Sequence, residues 1–342
     1  MKIRNMTMFV AAAAAAAFAG SASGASAADK MTLALPGVPP VFSGVSALVA
    51  RDAGLFKKHG LDVEVKFMDS GAAAAKAVVS GNIDASMSPS QFVAALASNA
   101  GAPVRAIWGL DNSDWILGSM DPAKASCEAM KGQGVGVDSK GGARWIQLNT
   151  ILARKCKLKI DVDVKTVPLS SNVGTAMASG QINFGILHLD DLPAIEKKGG
   201  KKVTIFETIE KVAPNVHYLL LIARKDNIEK KRDAYIRLVA ALRDAAAMLH
   251  DPAQRAAVAK MAADTSRPAD EAADAIAKLT AIGFWPTKND PGLNKVRIEG
   301  AIANQVRVGK ISKGKSGINP SKKPITYDEL VDLSIWIDAK KR

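Results

Sequence analysis

The sequence predicts an α/β fold of two similar lobes, each a mainly parallel sheet flanked by helices. Three features predict it. The chain repeats itself at a spacing of 99 residues: Leu61-Asp62-Val63-Glu64-Val65-Lys66 aligns without a gap on Ile160-Asp161-Val162-Asp163-Val164-Lys165, and Ser80-Gly81-Asn82-Ile83-Asp84 on Ser179-Gly180-Gln181-Ile182-Asn183. Short β-type runs alternate with helical ones up to Asp226, the pattern of right-handed crossovers in a parallel sheet. The length of 342 residues also suits two domains. Two lobes of like construction that face each other enclose a cleft, and a cleft is where function is expected.

The elements follow in order. Met31 to Leu35 reads as a strand and Pro36-Gly37-Val38-Pro39-Pro40 as a rigid loop. A helix over Ser43 to Lys58 stops at Gly60, a glycine placed to follow a helix C-terminus. Leu61 to Met68 alternates as a strand with charge on one face; Asp69 or Ser70 then caps an alanine-rich helix that Gly81 ends. Ile83 to Met87 is a buried strand, Gln91 to Asn99 a helix and Val104 to Trp108 a strand. The second copy gives a strand at Gly134 to Val137, a helix at Gly142 to Lys155 and a strand at Ile160 to Val167. A helix at Asn172 to Ser179, a strand at Ile182 to Leu187 and a further apolar strand at His217 to Ala223 complete it. Beyond Asp226 the pattern is helical: Arg232 to His250, Pro252 to Ala263, Pro268 to Ile282, Leu293 to Val308 and Tyr327 to Ala339, divided by Pro, Gly or Asn. Gly309 to Pro324, rich in Lys, Gly and Ser, reads as an exposed loop.

Residues 1–27 read as a cleaved signal peptide. Lys2 and Arg4 form a basic start, Met6 to Ala19 an apolar run too short to span a bilayer, and Ala25-Ser26-Ala27 a small-x-small cleavage site. No cysteine follows that could carry a lipid, so a free periplasmic protein of a Gram-negative bacterium is expected. Losing Lys2 and Arg4 takes the formal charge from +13 to +11. The basic residues are scattered and aromatics are few, which argues against nucleic acid and favours a field that attracts small anions. The two cysteines, Cys127 and Cys156, are most simply one disulfide in an oxidising compartment; two buried thiols are the alternative. A bond closing that loop would stabilise by about 3 to 4 kcal/mol. Their spacing matches no zinc site, and neither a metal nor a cofactor is expected.

One stretch resembles a known family. Gly54-Leu55-Phe56-Lys57-Lys58-His59-Gly60-Leu61-Asp62-Val63 is similar to a signature of the solute-binding proteins of ABC importers, in the subgroup that binds nitrate, taurine, alkanesulfonates and thiamine precursors. Val79-Ser80-Gly81-Asn82-Ile83-Asp84 and Gly132-Gln133-Gly134-Val135-Gly136-Val137 resemble further elements of it. The resemblance implies a type II periplasmic binding protein fold that closes on a small molecule and delivers it, as a monomer, to an ABC permease in the inner membrane. Lobe 1 would comprise residues 30–115 plus 217–342 and lobe 2 residues 116–216. Hinges fall at Ser113 to Met120 and Asn215 to Leu221. The cysteine-rich run of the yeast thiamine-precursor synthases on this fold has no counterpart here.

Ligands of open parallel sheets sit beyond the carboxyl ends of the strands. That rule selects the loops Pro36–Phe42, Asp69–Ala72, Ser88–Gln91, Ser139–Arg144 and Leu187–Asp191. Ser139-Lys140-Gly141-Gly142 followed by Arg144 is the strongest anion candidate, because two glycines bare the backbone at a helix start and two cations stand beside it. Pro39, Ser70, Gly71, Ser88, Ser90 and Asn172 offer backbone, hydroxyl or amide contacts, although several would serve equally as helix caps. His188 and Asp190 could take an ammonium or ring N–H group. Trp115 and His217 stand near the hinges, where an aromatic stacks on a planar ligand or simply packs. No nucleophile–base pair and no Gly-x-Ser-x-Gly motif is present, so an enzyme is not expected. A binder of small organic anions or zwitterions is the leading reading; a binder of pyrimidine-like or aromatic compounds, or a ligand-sensing accessory protein, is the alternative.

Overall fold

The computed structural model describes residues 28–138, 140, 143–169, 172–312 and 323–342, with side chains except for Ala100 and 308–312. The signal-peptide expectation over 1–27 and the loop core at 313–322 therefore lie outside the described residues.

Among the described residues, ten strands form two five-stranded sheets. The first contains β1 (Asp29–Pro36), β2 (Leu61–Met68), β3 (Ala85–Pro89), β4 (Val104–Leu110) and β10 (Leu219–Arg224); the second contains β5 (Trp115–Ser119), β6 (Gly134–Val137), β7 (Lys165–Pro168), β8 (Phe184–His188) and β9 (Thr204–Thr208). Their orders, β2-β1-β3-β10-β4 and β7-β6-β8-β5-β9, are the same pattern. In each sheet one strand is antiparallel to its neighbours: β10 in the first and β5 in the second. Both are crossing strands, met as the chain passes from one sheet to the other. Hence the sheets are mixed, though mainly parallel.

The 99-residue repeat is exact in one place. β3 and β8 start and end 99 residues apart, and each is the central strand of its sheet, pairing in parallel with β1 or β6. The copy of β2 diverges. Only Lys165–Pro168 forms a strand, and Ile160 to Val164 is a turn rather than the predicted strand. Asp161 is the cause: it adopts φ 61°, and its carboxylate accepts from Thr166 Oγ1 at 2.6 Å and Trp145 Nε1 at 3.3 Å. An aspartate that bonds locally tolerates this left-handed backbone, which breaks the strand. The charged face of β2 is explained by position, since β2 is a sheet edge where charges deter pairing with other chains.

The first predicted helix is broken. Val45–Asp52 and Leu55–Lys58 are divided by Gly54 at φ 70°. Likewise Tyr327–Leu330 and Leu333–Ala339 are separate, because Val331 between them bridges to Ala106 of the first sheet. The longest helix, Arg232–His250, keeps its expected bounds and buries a face of Tyr235, Leu238, Val239, Leu242 and Leu249. No described helix is long and apolar enough to cross a membrane.

The C-terminal helices tie the two sheets together. Ala269–Ala281 packs on Leu192–Gly199 of the second unit, and one apolar core runs from Leu33 and Trp108 through Ile276 and Leu279 to Val173, Leu187 and Ile195. The helix Lys295–Ser312 approaches the returning crossover so closely that a Cβ on Gly300 would stand 1.6 Å from the Asn215 carbonyl oxygen. Cys127 and Cys156 form a disulfide with Cα atoms 5.4 Å apart.

Candidate functional site

A cavity of about 470 Å³ opens between the sheets. All five loops selected by the strand-end rule contribute to it: Gly37 and Val41, Asp69 to Ala72, Pro89 and Gln91, Asp138 with Ala143 and Arg144, and His188. The crossover segments add Ser113 and Trp115 on one passage and Val216 to Leu219 on the other. Topology thus located the cleft, while individual side chains divide differently from expectation.

Six of the expected residues line the cavity: Ser70, Gly71, Trp115, Arg144, His188 and His217. Ser139, Gly141 and Gly142 lie outside the described residues. The others face elsewhere, each for a visible reason. Ser88 Oγ pairs with Ser86 Oγ at 3.0 Å inside the first sheet, and Ser90 Oγ donates to the His217 carbonyl, pinning the crossover. Lys140 is drawn to Asp161 at 3.0 Å and is largely exposed. Pro39 and Asn172 are exposed on loops that do not reach the cavity wall. Asp190 is buried behind His188, where Arg267 holds it.

Gly71 serves packing more than ligand access. A Cβ there would meet Pro89 Cδ at 2.4 Å, so glycine is required for the helix Gly71–Val79 to start against that loop. Ser70 caps this helix, accepting from the Ala73 N–H at 3.2 Å. The first residues of this helix, Gly71 and Ala72, whose N–H groups no helical carbonyl can satisfy, line the cavity.

Arg144 is the one Arg or Lys among the described lining residues. It rises from the first turn of the helix Ala143–Ile151, whose backbone Asp138 caps through the N–H groups of Arg144 at 3.3 Å and Trp145 at 3.4 Å. Its Nε donates to the Ile186 carbonyl at 2.9 Å and its Nη2 approaches Asp191 at 3.3 Å. The guanidinium lies 5.4 Å from the Trp115 ring centroid. Trp115 and His188 are cross-strand partners in the β5–β8 register, and their rings are in contact, centroids 3.5 Å apart and tilted by 35°.

Behind this wall lies a buried charge network. Burial disfavours a charged His188, but the Asp114 carboxylate 2.9 Å from Nδ1, together with Asp190 and Asp191, more than offsets it and raises the imidazole above its ordinary value. Burial likewise raises Asp191, yet the charges of His188, Arg144 and Arg267 more than offset it and hold that carboxyl low. Asp190 behaves oppositely: burial pushes it up to about 7, with Arg267 opposing. Asp114, His188 and Asp190 each offer one potential ligand atom within 4.8 Å of the others, a spacing a metal could bridge. His188 and Arg267 already partner these two carboxylates, so the arrangement is that of an ion-pair network.

Sequence reasoning did not single out Ser43, Phe92, Ile146, Gln147, Tyr218 or Asn304, all of which line the cavity. Most come from helix bodies or crossovers, and no local motif distinguishes them from core or surface positions.

The fold is a pair of five-stranded sheets of like strand order with a cleft between them. Residues 42–256 match the NMT1/THI5-like family, and the chain belongs to that family. Among solved structures it is similar to the periplasmic aliphatic sulphonate-binding protein SsuA of Escherichia coli, at 16% identity and a TM-score of 0.66, over 92% of this chain and 99% of that one. It is also similar to the periplasmic nitrate-binding protein NrtA of Synechocystis, at 12% identity and a TM-score of 0.67, over 91% and 88% of the two chains. A third similar structure is the alkanesulfonate-binding protein SsuA of Xanthomonas axonopodis bound to MOPS, at 16% identity and a TM-score of 0.64, over 89% and 98%. No curated protein matches the sequence.

Proposed function

We propose that this protein is the extracytoplasmic solute-binding component of an ABC import system, and that it captures a small organic anion between its lobes. The observation that carries the reading is Arg144 on the wall of a largely apolar cavity, with the start of the helix Gly71–Val79 on the same wall from the first unit. A charge-assisted bond from one lobe and helix-start N–H groups from the other give an anion reason to hold both together. The anion- and sulfonate-binding roles of the similar proteins named above support this, as does their description as binding proteins rather than enzymes.

On this reading the lobes are residues 30–115 with 217–342, and 116–216, with hinges at Ser113 to Met120 and Asn215 to Leu221. Closure about them buries the ligand and presents a two-lobed surface to a membrane permease. A periplasmic location after signal-peptide cleavage follows from the same role. A thermal-shift screen across sulfonates, carboxylates and pyrimidines tests it. A true ligand at 100 times its Kd stabilises the fold by about 2.7 kcal/mol. Stabilisation by neutral pyrimidines alone, with every anion silent, would rule the reading out.

A further inference from the structure

One face of the helix Ala143–Ile151 forms a long side of the cavity. Ala143, Ile146, Gln147 and Thr150 all line it, and they are the i, i+3, i+4 and i+7 positions of a single stripe. At the helical rise that stripe runs about 10 Å. Arg144 stands at its beginning. At its end stands Arg307, from the helix Lys295–Ser312, which donates from Nη2 to Thr150 Oγ1 at 2.9 Å and from Nε to Asn304 Oδ1 at 2.7 Å. Asn304 lines the cavity as Thr150 does. The stripe therefore has an arginine at each end, in a cavity whose wall is otherwise largely apolar, with Phe92, Trp115, Ile146 and Ile209 in it.

The charge of Arg307 is unanswered. It is half-buried and forms no ion pair among the described residues. Burial and the like charge of Arg154 lower its pKa from the ordinary arginine value, and no acidic group acts in the other direction. A guanidinium can only donate, so the amide atom that Asn304 turns to it is the oxygen, which leaves the Nδ2 amino group over. Asn304 Nδ2 and Arg307 Nη1 make no hydrogen bond among the described residues, and both are accessible rather than buried. The same is true of Arg144 Nη1, since only Nε and Nη2 of that side chain are engaged. Accessible, unengaged donors thus belong to both ends of the stripe.

Resting on the anion-binding reading above, we propose that the ligand is a long dianion, with two acid groups of the carboxylate or sulfonate type separated by an apolar spacer. One acid meets Arg144. The spacer lies along Ile146 and the apolar wall, and the second acid accepts from Asn304 Nδ2 in the field of Arg307. Asn304 and Arg307 are then specificity residues. An acid whose far end is a methyl group takes water from their donors and returns no acceptor, so it is rejected; a short diacid cannot reach both ends.

Titration calorimetry at pH 8 with the folded, disulfide-bonded protein tests this. The long dianions are suberate and 1,4-phenylenediacetate; octanoate and 4-methylphenylacetate are their single-acid counterparts, and succinate is the short dianion. The wild type binds a long dianion at least about tenfold more tightly than its single-acid counterpart or succinate. In Arg307→Met that ratio falls to within about threefold, because the dianion loses affinity. Asn304→Asp sets a carboxylate beside Arg307 and against the second acid, so it too abolishes the preference; it serves if Arg307→Met does not fold. Equal affinity for dianion and single acid on the wild type, or an undiminished preference in both variants, overturns the proposal. Binding of single acids that needs Arg144, with long dianions no tighter, overturns it while the anion reading stands. Failure of every anion to bind defeats both.

Discussion

Replacing Arg267 should reveal the charge network behind the cleft through its pH dependence. Arg267 pairs with Asp190 and, at 3.1 Å, with Asp191; its side chain is 18% exposed and that of Asp190 only 5%. Arg267→Gln leaves Asp190 buried without its cation, and breaking such a pair costs about 3–5 kcal/mol while the carboxylate is charged. Burial already raises Asp190 to about 7 in the presence of Arg267, and loss of the guanidinium raises it further. Between the unfolded value of about 4 and the raised folded value, the folded state holds a proton that the unfolded state releases, so stability falls as pH rises. At pH 5 Asp190 in the variant is neutral, and the loss shrinks toward the hydrogen-bond contribution of about 1–3 kcal/mol. Urea unfolding should therefore show a larger deficit for Arg267→Gln at pH 8 than at pH 5. Adding Asp190→Asn should relieve most of the pH 8 deficit. An equal deficit at both pH values, or no relief from the second substitution, refutes the reasoning.

Three further outcomes follow from the structure. The His188 imidazole should titrate above its ordinary value by NMR, so its stabilising pairing is complete below about pH 6.5 and is lost as pH rises through the raised value; Asp114→Asn should bring the midpoint down. Gly300→Ala places a Cβ 1.6 Å from the Asn215 carbonyl oxygen, so it should lower Tm and weaken ligand binding through the displaced crossover; an unchanged Tm would show that the helix is not seated there. Reducing the Cys127–Cys156 bond, which closes a 29-residue separation, should cost about 3–4 kcal/mol in denaturant unfolding, and a loss near zero would show that the loop is held by packing instead.

How much of this could be read from the sequence depended on whether the signal was local. The repeat exposed the scaffold because β3 and β8 must each lie at a sheet centre, and an apolar run before a helix start is visible in both copies. Asp161 broke the second copy of the edge strand, since its side chain bonds Thr166 nearby and Trp145 and Lys140 further off, partners that a β-propensity pattern does not register. The crossing strand Trp115–Ser119 read only as a hinge, because its antiparallel partners lie more than 60 residues away. Strand-end loops were legible, as topology fixes where strands end. Which residue of a loop turns inward was not: Lys140 and Arg144 are equally basic, yet Asp161 draws one outward while Trp115 and the Ile186 carbonyl hold the other at the cavity. Those partners come from distant parts of the chain, and only folding brings them together.

The central claim is that Arg144 holds an organic anion in the cleft. Titration calorimetry of wild type and Arg144→Gln with a sulfonate or carboxylate found in the thermal-shift screen tests it most directly. The account predicts that Arg144→Gln folds normally and binds at least about tenfold more weakly, as expected for loss of a charge-assisted bond. Unchanged affinity in a folded Arg144→Gln protein would contradict it.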